Sequence, residues 1–264
     1  MSFSVASYNV LASAYVHRGW YRRTPALILN PVWRTPALAH HVSALGADIL
    51  CLQEVETETF AALSARLVPL GYASQYARRL GGKPDGCATF YRRDLFELVD
   101  ANMIVYGDAI DAQGDSGNIA LIAWLRGSEG LVGLINTHLT WDPPGAALES
   151  RRGYRQARQL VLDWQPIAES ATGWILVGDF NVTPESELVA MIEAAGFHYA
   201  HQECAGACTC NVNGEAKMID YLFYAGGLQC EPRKITPIDM RTILPSAEQP
   251  SDHVAIVARF DWKL

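Results

Sequence analysis

Eight side chains able to hold ions or move protons stand at or beside the ends of apolar runs in this sequence. They are Asn9 in "SYNVLA", Glu54 in "ADILCLQEVE", His138 in "NTHL", Asp179 and Asn181 in "GDFN", Asp220 in "IDYLFY", and Asp252 and His253 in "PSDH". Carboxylates bind cations and accept protons, and a histidine contacts an anion or transfers a proton near neutral pH. Each residue alone has a plainer reading, because an acid at a strand end is most often a turn former or a cap. Six such places on separate strands argue for convergence. Charge beside an apolar run is costly unless something pairs with it, and strand ends in α/β folds are where ligand sites gather. Asp179 and Asn181 are two residues apart, so on an extended chain they face the same way and Phe180 turns into the core.

The elements that must carry these residues follow from periodicity. Residues 3–11 alternate like a strand, and "ADILCLQEV" and "GWILVGDFN" read as strands buried on both faces. "GCATFYRRDLFELVDANMIVY" reads as two strands, and "NIALIAWLR" with "GLVGLINTHL" as a pair joined at "GSEG". "MIDYLFYA" and "HVAIVARFDW" are later strands. Helical spacing predicts helices over 34–46, 57–70, 148–165 and near 185–195. No linker or repeat divides the 264 residues, so one domain over 1–264 is expected, with two packed sheets flanked by helices.

Composition narrows the class. No run of about 18 uncharged apolar residues is present, so a membrane span is not expected. The opening "MSFSVASYNVLA" lacks a basic start and a long apolar stretch, and the default reading is a soluble, cytoplasmic protein. The net charge of −7 argues against a generic nucleic-acid binder. Its distribution matters more. Residues 1–95 hold 10 Lys and Arg against 6 acids, and residues 96–264 hold 11 against 22, so an acidic surface can still contain a phosphate-attracting cleft. Cys51 and Cys87 sit in strand-like runs and read as buried thiols.

Taken in order along the whole chain, the six motifs make the sequence similar to the endonuclease/exonuclease/phosphatase superfamily, the DNase-I-like metallohydrolases. "YNVLA" with its aromatic and basic sequel, "PDGCATFYR", "NTHLTWDPP", "GDFNVTPES" and "PSDH" resemble its deadenylase/nocturnin/angel/2′-phosphodiesterase branch more particularly. The resemblance implies an α/β (α+β) fold, a four-layer sandwich of two packed mixed β-sheets flanked by helices. It also implies one or two Mg²⁺ ions, or Mn²⁺ in their place. By resemblance, Glu54 is the first metal ligand, Asn9 helps hold the metal-water and phosphate network, and Asp252 is linked to a metal or its waters. Asp179 would position or deprotonate the attacking water, and Asn181 would donate to a phosphate oxygen. His253, oriented by Asp220, and His138 would grip the phosphate from two sides.

The surrounding residues carry alternatives. Trp141 and Pro143 in "WDPP" fit a wall for a base, or a rigid turn. Lys83 could reach a phosphate or be a solvated loop lysine, and Asp85 is a candidate orienter of His138. Arg151, Arg152, Arg155 and Arg158 could line a phosphate track or form a solvated helix face. His198, His201, Cys204, Cys208 and Cys210 invite a zinc reading, but their spacing fits no paired C-x-x-C site and free thiols are preferred. The leucine-rich repeats of some relatives are lacking, which weighs against assembly into a large deadenylase complex.

The expected function is a Mg²⁺-dependent phosphodiester hydrolase, a 3′→5′ exoribonuclease of deadenylase type on single-stranded RNA. One alternative is a small-molecule phosphatase or phosphodiesterase acting on a nucleotide, the 2′-phosphate of NADP, an inositol phosphate or a phospholipid head group. Another is a catalytically silent homologue that binds nucleic acid or protein. The expected partner is thus a phosphodiester or phosphomonoester substrate.

Overall fold

The apolar runs that end on polar residues become the inner strands of two sheets. The structure is a computed structural model, and it describes residues 2–110, 114–143, 145–204 and 206–263. Along the chain run β1 (Phe3–Asn9), α1 (Ala26–Leu29), α2 (Pro31–Ala44), β2 (Ile49–Gln53), α3 (Thr57–Leu67), β3 (Tyr72–Arg78), β4 (Gly86–Arg92), β5 (Glu97–Val105), β6 (Ile119–Arg126) and β7 (Leu131–His138). Then come α4 (Arg152–Trp164), β8 (Gly173–Asp179), α5 (Glu187–Ala194), β9 (His198–Tyr199), β10 (Cys210–Val212), β11 (Glu215–Lys217), β12 (Asp220–Gly226), β13 (Leu228–Pro232) and β14 (Ile256–Trp262). No helix among the described residues is long and apolar enough to cross a membrane.

The first sheet has the order β13-β14-β1-β2-β4-β3 and the second β5-β6-β7-β8-β12-β9. Both are antiparallel except for one central parallel pair, β1 with β2 and β7 with β8. Each strand alternates its side chains between two apolar layers. Val5, Ile49, Leu134, Val177, Leu222 and Ile256 fill the space between the sheets. Ala6, Tyr8, Leu50 and Leu52 face Leu38, Val42 and Leu63 of α2 and α3. Ile135, Leu176 and Phe223 face Leu160 and Val161 of α4 and Leu188 and Ile192 of α5. The result is a four-layer sandwich of two mixed sheets between helices, the architecture that the resemblance implied. Each fully buried Leu, Ile or Phe contributes roughly 1.5–3 kcal/mol.

Helix limits differ from expectation at two starts. α2 begins at Pro31, not near 34, because the Asn30 side chain accepts from Val32 N at 2.9 Å and proline suits the first turn. α4 begins at Arg152, not 148, because Asp142 reaches across and accepts from Arg152 N at 2.7 Å and Gly153 N at 2.8 Å.

Parallel neighbours end together, and this builds the site. In register, Asn9 lies beside Gln53, and His138 beside Asp179. β12 runs antiparallel to β8, so its first residue, Asp220, pairs with Asp179. Between the sheets Gln53 donates to Asn136 Oδ1 at 2.8 Å, tying the two rims together. Gly178 is required for the second parallel pair, since a Cβ there would stand 1.8 Å from the Thr137 carbonyl oxygen.

Candidate active site

Three strands deliver their functional side chains through the same backbone device. Leu11, Glu54 and Asn181 follow β1, β2 and β8 with φ of 56°, 57° and 56°, left-handed values that non-glycine residues seldom adopt. Such conformations cost of order 1 kcal/mol or more each and cluster at functional sites. Here they turn the chain sharply where the strands stop.

The side chains converge on Asp179. Asn9 Nδ2 donates to Asp179 Oδ2 and to Glu54 Oε1, both at 2.9 Å. The second oxygen of Glu54 accepts from Ala12 N at 2.8 Å. His138 Nε2 and His253 Nε2 each lie 3.6 Å from Asp179 Oδ2. Asp179 Oδ1 accepts from Asn181 N at 2.9 Å, and Asn181 Nδ2 stands 3.1 Å from His138 Nε2. Asp220 Oδ2 lies 2.8 Å from His253 Nδ1. Asp252 accepts from the Tyr21 hydroxyl at 2.7 Å, and Ser251 anchors the same loop by donating to Asn9 O at 2.7 Å.

Burial sets the electrostatics. It pushes the Glu54 carboxyl up to about 7, with the neighbouring Asp252 adding to the rise. It pushes Asp179 up to about 6, against the pull of both histidines. It lowers His138, with the Asp179 carboxylate opposing the shift. Burial works most strongly against charge on His253, but the Asp220 carboxylate and the Cys210 sulfur together outweigh it and hold this histidine well above the ordinary imidazole value.

The cleft above these groups has a volume of about 450 Å³. All eight residues at the strand ends belong to this constellation. Trp141 also lines it, at 57% exposed, and Trp20 stands at another part of the wall at 52% exposed. Other expected residues are not gathered in. Pro143 borders a neighbouring hollow with Tyr154 and Leu188, and Pro144 lies outside the described residues. Lys83 is exposed in the β3–β4 turn. Arg152 Nη1 donates to Gly114 O at 3.0 Å, and Arg155 borders a separate depression with Glu149 and Arg158. Asp85 does not orient His138: its Oδ1 accepts from Tyr15 at 2.6 Å and pairs with Arg79 at 3.4 Å, while His138 Nδ1 has no hydrogen-bond partner. The zinc reading of His198, His201, Cys204, Cys208 and Cys210 also fails. Among the described residues those five form no group able to hold an ion together, and all the cysteines are free thiols.

Tyr15, Tyr21, Arg79 and Asn118 join the cleft without having been singled out. The signal for Tyr21 and Arg79 was present in the basic, aromatic stretches "RGWYRR" and "ARRLGGK", and Tyr15 lies just ahead of the first. Asn118 gave none, since its part is to donate to His138 O at 2.9 Å across the sheet.

The donors fit a hard divalent cation. Asp252 is buried and Glu54 largely so, and the Asp252 carboxylate adds to the cost of ionising Glu54, a strain a cation between them would relieve. Asp179, Asp220 and His253 also offer ligand atoms within 4.8 Å of one another.

Comparison with known proteins agrees with the architecture. The model of the Endonuclease/Exonuclease/phosphatase family matches residues 6–253. Protein angel homolog 2 of Mus musculus is 30% identical over 212 residues, covering 75% of this chain and 38% of that protein. The CCR4-Not complex 3′-5′-exoribonuclease subunit Ccr4 of Candida albicans is 26% identical over 327 aligned residues, covering 99% of this chain and 41% of that one. The chain thus spans about two fifths of the length of these curated relatives. The crystal structure of ANGEL2, a 2′,3′-cyclic phosphatase, in complex with adenosine-2′,3′-vanadate, superposes with a TM-score of 0.84 at 23% identity, covering 100% of this chain and 96% of that one. At that identity the likeness is one of fold.

Proposed function

The chain belongs to the endonuclease/exonuclease/phosphatase family, and from that premise we propose that it is a Mg²⁺-dependent phosphodiester hydrolase working on the 3′ end of single-stranded RNA, a 3′→5′ exoribonuclease of deadenylase type. The observation that carries this reading is the convergence of two histidines on Asp179 Oδ2, each at 3.6 Å, beside the Glu54 and Asp252 carboxylates. Glu54 and Asp252, with Asn9 steadying Glu54, would hold the cation, which supplies charge neutralisation at the phosphoryl oxygens. Mn²⁺ would serve the same ligands.

The chain's own groups divide the remaining work. Asp179, raised toward neutrality, accepts the proton of the attacking water; a base with a pKa near the working pH is the effective kind. His253, kept cationic by Asp220, donates to a phosphoryl oxygen as negative charge builds there. Asn181 donates from the neighbouring side. His138, kept neutral, closes the site opposite His253 and contacts the phosphate or the leaving oxygen. Trp141 offers a flat face to the flanking base.

A second reading is hydrolysis of a small or terminal phosphoester, such as a 2′,3′-cyclic phosphate. It is favoured by Arg152 and Arg155, which stand away from the cleft and so do not extend it as a basic track along a strand. The test is a substrate panel in Mg²⁺ or EDTA: oligo(A) ending in a free hydroxyl, oligo(A) ending in a 2′,3′-cyclic phosphate, random RNA, duplex DNA and NADPH. Stepwise shortening of oligo(A) supports the exonuclease. Turnover confined to the cyclic end or to NADPH supports the second reading and sinks the first. Asp179→Asn and His253→Ala should each lose about 10³-fold or more in kcat/KM with unchanged circular dichroism. Full activity in both would overturn the site assignment.

A further inference from the structure

A thiol that the proposed hydrolysis leaves unused stands against its cationic histidine. Cys210, in β10, is 5% exposed and faces the cleft. The backbone locks it in place: Cys210 and His253 form an isolated antiparallel bridge, Asn211 N donates to Asp252 O at 2.9 Å, and Val254 N donates to Thr209 O at 2.7 Å. Cys210 Sγ, an oxygen of Asp252 and a ring nitrogen of His253 lie within 4.8 Å of one another. Zn²⁺ takes tetrahedral S, N and O ligands at roughly 2.0–2.3 Å, which sets them roughly 3.3–3.8 Å apart. Contraction by about an ångström therefore completes the triad.

His253 is also prepared for a metal. Its Nδ1 is engaged by Asp220 at 2.8 Å, so Nε2, once its proton is lost, is the nitrogen left to ligate. A carboxylate on the far nitrogen is the arrangement that orients metal-bound imidazoles and strengthens them as ligands. Mg²⁺ demands oxygen ligands and makes no use of sulfur, whereas soft thiolate selects Zn²⁺ and its relatives.

We propose that Cys210, Asp252 and His253 form a site for a thiophilic divalent cation of the Zn²⁺ type, whose occupation silences the centre that Mg²⁺ serves. The S–H bond of Cys210 gives way to an S–metal bond and the Nε2–H bond of His253 to an N–metal bond; both protons leave to solvent, and no electron is transferred. Asp252 is thereby withdrawn from Mg²⁺ and His253 from the phosphate. That consequence rests on the proposed hydrolysis, whereas binding of the cation does not.

The whole chain, held in excess Mg²⁺, is titrated with Co²⁺ or Cd²⁺ while the thiolate-to-metal charge-transfer band is followed in the ultraviolet. A saturable band at one equivalent is expected. It should vanish in Cys210→Ser and Cys210→Ala and persist in Cys204→Ser and Cys208→Ser. In parallel, Zn²⁺ should inhibit turnover, with an inhibition constant at least 10-fold higher in Cys210→Ser, measured against that variant's own zinc-free rate. A band that is absent, or that survives both Cys210 variants with folding confirmed by circular dichroism, overturns the proposal. Equal Zn²⁺ inhibition in wild type and Cys210→Ser also overturns it, because Zn²⁺ would then be acting at Glu54. The charge-transfer band reports on the bound cation whether or not an RNA substrate is turned over.

Discussion

His138 and His253 present Nε2 to the same oxygen of Asp179, each from 3.6 Å, and they are held by opposite means. His253 has a buried carboxylate 2.8 Å from its far nitrogen, and Asp220 keeps it charged despite burial. His138 makes no hydrogen bond at Nδ1, which lies 3.9 Å from Glu54 Oε1, faces an amide at Nε2, and is driven toward the neutral form by burial. One side chain type thus becomes a fixed cation on one wall and a neutral imidazole on the other. The deciding difference is what stands beside each ring: Asp220 in hydrogen-bond contact and Cys210 for His253, no hydrogen-bonded carboxylate for His138. The pH dependences of stability run oppositely too. The His253 contribution is fully present below about 6.5 and is lost as pH rises through its raised folded value. The cost of His138 appears as pH falls below about 6.5, where the unfolded chain takes up a proton more readily than the fold does.

The largest expected effect that tests this contrast is Asp220→Asn. We expect kcat/KM to fall by about 10²–10³-fold, and the alkaline limb of the pH–rate profile to move to lower pH as His253 loses its support. An unmoved limb would show that Asp220 merely packs. Next, His138→Ala should cost about 10–10²-fold with the alkaline limb in its wild-type place. A loss exceeding that of Asp220→Asn would reverse the ranking of the two walls.

Glu54 supplies a smaller effect with a defined sign. Its folded value of about 7 lies above the ordinary 4.5, so the metal-free fold binds the extra proton and loses stability as pH rises between those values. Glu54→Gln should therefore unfold in EDTA at higher denaturant than wild type at pH 8, by on the order of 2 kcal/mol, and match it at pH 4. Equal midpoints at pH 8 would show that Glu54 carries no such strain. Smallest of all, Trp141→Ala should raise KM for oligo(A) a few-fold with little change in kcat, as expected of an exposed stacking face. An unchanged KM would leave Trp141 as a surface residue.

Most of the frame was legible because its signals are local. The apolar runs of β1, β2, β6, β7, β8, β12 and β14 are short, dense and punctuated by turns, and each became a strand. β3 escaped notice because "YASQYAR" is an edge strand of mostly half-buried residues, and β13 is an edge strand of mostly exposed ones. The stiff "WDPP" was legible as a turn, but Asp142 in it proves to be the long-range cap of α4. Among the basic residues, spacing could not separate Lys83 from Arg79. The β3–β4 turn carries Lys83 to its exposed tip, while the buried Asp85 draws Arg79 toward the cleft.

Sequence by itself determined which groups stand at strand ends, since strand length and face are set by runs of a few residues. It also marked which of those groups could serve a phosphoester. Tertiary structure decided their partnership. Asn9 and Asp179 are 170 residues apart and meet at 2.9 Å because two parallel strand pairs end at the same level. It also decided that Tyr21 and Arg79 enter the cleft while Arg152 and Arg155 leave it, and which histidine receives a carboxylate. Those outcomes depend on strand register and long-range hydrogen bonds, which no local pattern of residues encodes.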